Sequence, residues 1–134
     1  MEINGLKYDE KLLAELAEKH HIMVVIFYGS RAKGDAWENS DWDIALHPAH
    51  GVMVKNSAPI QVELEEAFEQ EIDFAMVGAL SDPLFRWEVY KEGIPLYEDR
   101  PERFDDEYWS ALKVYEDTAH FRKEEWEFIK EKYR

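Results

Sequence analysis

Met23-Val24-Val25-Ile26-Phe27-Tyr28-Gly29-Ser30-Arg31-Ala32-Lys33-Gly34 and, after a polar turn, Ser40-Asp41-Trp42-Asp43-Ile44-Ala45-Leu46 decide how this 134-residue chain is read. The run from Met23 to Tyr28 is β-branched and aromatic, bounded by His20-His21 and Gly29, and reads as a buried strand. Gly29 ends it where the backbone must turn tightly, and Ser30 opens a short helix through Ala32 and Lys33 toward Gly34. The free N–H groups at such a terminus favour an anion. A phosphate there would find the Ser30 hydroxyl and the charge of Arg31 or Lys33. The stretch Asp41 to Leu46 reads as an entering strand, so Asp41 and Asp43, two apart, are expected on one face. Two converging carboxylates suit a divalent cation, and magnesium is typically held by one or two carboxylates plus substrate phosphates.

A third carboxylate stands in the run Glu71-Ile72-Asp73-Phe74-Ala75-Met76-Val77, where Asp73 lies between apolar neighbours. If that strand adjoins the Asp41/Asp43 strand, Asp73 reaches the same metal and can accept a proton from an attacking hydroxyl. Gly-Ser after a strand and Asp-x-Asp in a polar loop are each ordinary turn chemistry. Their fixed spacing, with strands and a helix where the chemistry requires them, carries the functional reading.

Gly29-Ser30-Arg31-Ala32-Lys33-Gly34 with Ser40-Asp41-Trp42-Asp43 resembles the minimal nucleotidyltransferases of the DNA polymerase beta superfamily, and Asp73 in Ile72-Asp73-Phe74 matches that family's third acid. The likeness continues through Arg86-Trp87-Glu88-Val89-Tyr90-Lys91-Glu92-Gly93-Ile94-Pro95-Leu96-Tyr97-Glu98, similar to the helix and last strand of these proteins. The resemblance implies that Gly29 and Ser30 contact a triphosphate, that Asp41 and Asp43 bind magnesium, and that Asp73 completes the metal site and activates the acceptor. Where the family usually carries Arg before the second glycine this chain has Lys33, with Arg31 two positions earlier, which keeps the charge but not the planar fork. Trp42 should face away from the carboxylates, into packing.

With 46% hydrophobic residues the chain has enough apolar surface for one compact domain: a core over residues 1–98 and a C-terminal helical extension over 99–134, packed on that core or on a partner. No secretion signal and no run of eighteen apolar residues is evident, and there is no cysteine, which fits a cytoplasmic protein. A net charge of −14, from 30 acidic and 16 basic residues, opposes binding of polynucleotides, so a protein or small cationic acceptor is favoured.

Elsewhere, Asp9 should cap a helix through about His20 with Leu12, Leu13, Leu16 and Ala17 inward. His47 to Pro59 reads as an irregular connection, with a short strand or turn at Val52-Met53-Val54, and its His47 and His50 read as loop residues rather than metal ligands. Gln61 to Gln70 forms a helix with Leu64, Ala67 and Phe68 inward, and Asp82-Pro83 opens another through Lys91, ended by Gly93. Arg86 in that helix is read as a solvated surface residue. Ile94 to Glu98 adds a last strand. Beyond Pro101, Tyr108, Leu112, Tyr115, Ala119, Trp126, Ile129 and Tyr133 recur at helical spacing, widened by Val114, Phe121 and Phe128, which predicts one long helix with room for a bend. At about 1.5 Å per residue it outruns a small sheet, leaving part of its aromatic face for homo- or hetero-oligomer contact.

The expected fold is α/β of α+β character: a small mixed sheet of about four strands, helices on one face, the active site on the sheet, and a long C-terminal helix. The expected reaction transfers AMP from ATP to a hydroxyl, with magnesium. Small proteins of this kind resemble the antitoxins of HEPN/MNT toxin–antitoxin pairs, and that resemblance implies a tyrosine of a HEPN ribonuclease toxin as acceptor. Transfer to a small hydroxylated molecule such as an aminoglycoside, and a non-catalytic antitoxin that masks its toxin by binding, are the alternatives.

Overall fold

The computed structural model describes residues 1–35, 40–52 and 54–133. A hairpin of β1 (Glu2–Ile3) and β2 (Leu6–Lys7) precedes α1 (Glu10–Lys19), β3 (Ile22–Tyr28), α2 (Ser30–Lys33), β4 (Asp43–Pro48), α3 (Ala58–Phe68), β5 (Asp73–Met76), α4 (Pro83–Glu92), β6 (Ile94–Glu98), α5 (Arg103–Asp117) and α6 (Ala119–Lys132). The four longer strands form one mixed sheet in the order β5-β4-β3-β6, with β3 antiparallel to both β4 and β6 and β4 parallel to β5. The α/β class, the strand count and the bounds of β6 agree with the sequence reading.

Helices cover both faces of the sheet rather than one. The cause is the alternation of β3, β4 and β5, in which both sets of side chains are apolar over most of their length. Val25, Phe27, Ile44 and Leu46 point toward α1 and α3 and join Leu13, Leu16, Ala17, Ile60, Leu64, Ala67 and Phe68. Val24, Ile26 and Ala45 point the other way and join Val89, Tyr90 and Ala111 of α4 and α5. Asp9 does cap α1, its carboxylate accepting from the N–H groups of Lys11 and Leu12, but Leu12 lies outward on the helix rather than in the core. Helix α3 starts at Ala58, with Pro59 in its first turn, earlier than the apolar spacing suggested. His47, expected in the connection, is instead part of β4. In the Val52–Val54 segment Met53 lies outside the described residues, as do Ala36–Asn39 of the polar turn.

The hairpin was not foreseen, although Asn4-Gly5 between two apolar residues is its signature. Both residues have positive φ, 48° and 85°, as a two-residue turn demands. The Asn4 amide donates to the Ala32 carbonyl at 2.7 Å, tying the hairpin to α2.

The expected long C-terminal helix is two, separated at Thr118. The Thr118 hydroxyl donates to the Val114 carbonyl at 2.7 Å, a bond that competes with the helical ladder and favours a bend. Helix α5 packs on α4, whereas α6 buries no residue.

Arg86, read as a surface residue, is buried at 5% exposure under α5. Its guanidinium meets Glu107 Oε2 at 3.5 Å and donates to Ser110 Oγ at 3.1 Å. Glu107, also 5% exposed, faces His50 Nε2 at 3.3 Å, Arg103 at 3.9 Å and His47 Nε2 at 4.0 Å. His47 shares a 2.5 Å hydrogen bond with the Tyr90 hydroxyl. A charged network thus joins β4, α4 and α5, and neither its partners nor its burial left a local mark in the sequence.

Burial first, then the charges of Arg86, His50 and Arg103, push the His47 imidazole down to about 4. Glu107 at 4.0 Å does not reverse this. A histidine whose folded value lies below its free value takes up its proton more readily unfolded. Its stabilising contribution is therefore complete above the free value of 6.5 and declines as pH falls toward about 4. Urea unfolding at pH 7 and pH 5 should show about 2 kcal/mol less stability at the lower pH from this group, a component that a His47→Gln variant lacks.

Candidate active site

Gly29, the N-cap of α2, sits at φ 84° and ψ −167°, backbone open in practice only to glycine. A Cβ built there would lie 2.4 Å from Asp43 Oδ2. The turn is therefore held open on both conformational and steric grounds, with the Asp43 carboxylate against the bare Cα. Gly29→Ala should cost about 1–3 kcal/mol in strain and displace the Asp43 carboxylate. The check is nucleotide transfer, which should fall at least tenfold, beside a thermal melt.

Strand β4 begins at Asp43, paired in register with Tyr28 on one side and with Asp73 on the other. Ile44 and Phe74 point toward α1 and α3, so Asp43 and Asp73 share the opposite face. The two carboxylates are within hydrogen-bonding distance of one another. Burial, then the charges of Asp73 and Asp41, hold the Asp43 carboxyl above the usual range, and burial, then the charges of Asp43 and Asp73, push the Tyr28 hydroxyl up to about 12. Negative charge is thus concentrated at this end of the sheet.

Asp41 does not share that strand. Strand β3 ends opposite Asp43 as Gly29 turns away into α2, so the pairing of β3 with β4 stops at Asp43. The Trp42 carbonyl accepts from the Asp73 N–H at 3.0 Å. Arg31 Nε donates to the Ser40 carbonyl at 2.7 Å, and its guanidinium lies 4.0 Å over the Trp42 ring. Trp42 itself packs beside Phe27, away from the carboxylates as expected. Asp41 is exposed in this clamped segment, near enough to act on Asp43 through its charge. Among the described residues no three His, Asp or Glu side chains stand together as a finished metal cage. The donor set fits magnesium nonetheless, because that ion needs only one or two carboxylates when phosphates supply the rest, and Asp43 and Asp73 meet beside an open glycine.

Ser30 opens α2 as expected, with Arg31 and Lys33 in the same turn. Lys33 is engaged by Glu92, Nζ to Oε2 at 2.5 Å, so a phosphate would compete with that carboxylate for it. Two clefts flank the acids. One of about 430 Å³ is lined by Tyr28, Gly29 and Lys33 together with side chains of α4 and Tyr115 of α5. The other, about 510 Å³, is lined by Ser40, Asp41 and Trp42 and by Gln70 to Asp73. A larger groove of about 750 Å³ runs between the N-terminal hairpin, α1 and the end of α3, apart from the acids.

The chain is similar to a chain of a toxin–antitoxin complex crystallised with AMP-PNP, 19% identical over 94% of this chain and 99% of the other, with a TM-score of 0.66. It is similar to a chain of the MntA-HepT toxin–antitoxin, 17% identical over 93% and 97%, TM-score 0.63. A third likeness is to a chain of a tri-AMPylated Shewanella oneidensis HEPN toxin in complex with MNT antitoxin, 16% identical over 93% and 96%, TM-score 0.63. At these identities the likeness speaks for the fold. No curated protein matches the chain in sequence. The family described as polymerase beta, nucleotidyltransferase matches residues 10–102, well over half of the chain and the whole span from Gly29 to Asp73. The chain belongs to the polymerase beta nucleotidyltransferase family and is a nucleotidyltransferase.

Proposed function

We propose that the protein transfers AMP from ATP to a hydroxyl of a partner protein and so acts as an antitoxin toward a HEPN-type ribonuclease. The observation that carries the reading is the meeting of Gly29, Asp43 and Asp73 at one end of the sheet. Asp43, Asp73 and the neighbouring Asp41 would hold magnesium, which when bound supplies a Lewis acid for the phosphates. Gly29 leaves room for the triphosphate, and Ser30, Arg31 and Lys33 face it from the turn. Asp73 takes the proton of the acceptor hydroxyl. The freed oxygen attacks the α-phosphorus, the bond to the bridging oxygen breaks, and pyrophosphate leaves. The cleft bounded by Asp41 and Asp73 is open to the acceptor while the cleft at Gly29 holds the donor.

A protein acceptor is favoured by α6. Phe121, Trp126, Phe128 and Ile129 of this 14-residue helix, and Tyr133 at its C-cap, are all exposed, and the helix buries nothing in its own chain. Isolated helices of that length are marginal in water, so a cover is expected. A net charge of −14 favours a basic one. One of the similar chains comes from a complex whose HEPN toxin is tri-AMPylated, which supports a HEPN-type toxin as the acceptor; a tyrosine hydroxyl of that toxin is the acceptor group we propose. No helix among the described residues is long and apolar enough to cross a membrane, and a site of action in the cytoplasm, where ATP is present, belongs to the same proposal.

Intact mass of a purified HEPN-type toxin after incubation with this protein, magnesium and ATP tests it. Gain of whole AMP units with wild type and none with Asp43→Ala is the expected result. Neutralisation with no gain in mass would replace transfer by masking.

A further inference from the structure

The cleft at Gly29 continues past the phosphate turn. Beyond Tyr28, Gly29 and Lys33 its lining includes the aromatic side chains Phe85 and Trp87 of α4 and Tyr115 of α5, alongside the α4 carboxylates Glu88 and Glu92. Each of these rings is held against another ring of the fold. Trp87 stacks on Tyr115 with centroids 6.0 Å apart and planes 29° from parallel, and meets Tyr108 edge-on at 5.2 Å. Phe85 meets Tyr28 edge-on at 6.1 Å. The Arg122 guanidinium lies 4.0 Å over the Tyr115 ring, while Arg122 also donates to the Thr118 hydroxyl and the Tyr115 carbonyl, which fixes the α5–α6 junction. A centroid separation of 6.0 Å is too narrow to admit a ring between Trp87 and Tyr115, so a ligand would stack on the open side of this wall rather than within it.

We infer that Phe85, Trp87 and Tyr115 form the seat of the nucleobase. The inference rests on the nucleotidyl-transfer reading above and deepens it. One end of the cleft offers the glycine turn and Lys33, for which a phosphate would displace Glu92, and the other offers aromatic faces and suits a flat heterocycle. The volume of about 430 Å³ falls in the range of small-molecule sites and is large enough for one nucleotide. Stacking is tolerant of base identity because every base has a π-face, so the wall should grip purines better than pyrimidines through area alone and discriminate weakly between adenine and guanine. Tyr115 lies beyond the family-matched segment that ends at residue 102. The C-terminal extension is then part of the donor site and not only an arm for a partner.

Binding is measured on the full chain with magnesium, using a non-hydrolysable ATP analogue and, separately, inorganic tripolyphosphate. Trp87→Leu and Tyr115→Ala should each raise the Kd for the analogue about tenfold and leave that for tripolyphosphate unchanged, while Trp87→Phe, which keeps a ring and the packing, should stay within a few-fold of wild type. Wild-type affinity for the analogue in both variants would overturn the base seat. So would equal loss of analogue and tripolyphosphate, which marks a purely structural wall. If wild type binds neither probe, the donor-site reading itself fails, and that result is distinct from either of the others.

Discussion

Replacing Glu107 with alanine should lower stability by about 3–5 kcal/mol, a large share of what a domain of this size has. The carboxylate is nearly all that balances Arg86, which is itself buried and whose Nε has no hydrogen-bond partner among the described residues. Removing the acid leaves that guanidinium in a low-dielectric space with Ser110 Oγ as its one remaining acceptor among the described residues, and a lone buried charge is far costlier than the pair was useful. The same argument gives the control: Arg86→Met combined with Glu107→Leu removes both charges and should recover most of the loss. Urea midpoints at pH 7 for the three proteins decide it. Single and double variants of equal stability would mean that the pair carries no charge burden.

Asp43→Asn should reduce nucleotide transfer on the order of a thousandfold, the rate equivalent of losing several kcal/mol of charge stabilisation at the phosphates. It should not harm the fold. In the folded chain the Asp43 carboxyl is held above its ordinary range by burial and by Asp73 and Asp41. A carboxyl raised on folding binds its proton more readily folded than unfolded, so its charged form opposes folding, and that opposition grows as pH rises through the interval between its free and folded values. Deleting the charge relieves it at neutral pH. The paired measurement is transfer rate and melting temperature: activity falls while the melt stays or rises. A parallel loss of both would mean that Asp43 serves the sheet and not the chemistry.

What could be read beforehand was whatever a short window of residues specifies. The apolar runs 22–28 and 94–98 declared themselves by β-branched content, and Asp9 and Asp82-Pro83 declared helix starts by capping chemistry. Gly29, Ser30, Asp43 and Asp73 were legible because each occupies the end of such an element, so knowing the element located the side chain. Asn4-Gly5 carries an equally local signal, for the hairpin. Arg86 and Glu107 could not be found this way, since residues 21 apart in sequence meet only after α5 folds back over α4. Asp41 was misplaced for a related reason: its backbone is governed by Arg31 and by the end of β3, not by the alternation of its own segment.

Asp43 and Asp73 face one another because β4 and β5 run parallel in a register that pairs those two residues, followed by Ile44 with Phe74 and Ala45 with Ala75. The alignment of the acids is thus carried by main-chain hydrogen bonds that do not depend on which side chains are present. A slip of one residue between the strands would turn Asp73 to the far face and dismantle the site in a single step, with no gradual loss. For protein engineering this makes the two-strand segment a transplantable module: any parallel strand pair held in that register, with a glycine packed against the carboxylate of the first acid, supplies the same paired carboxylates.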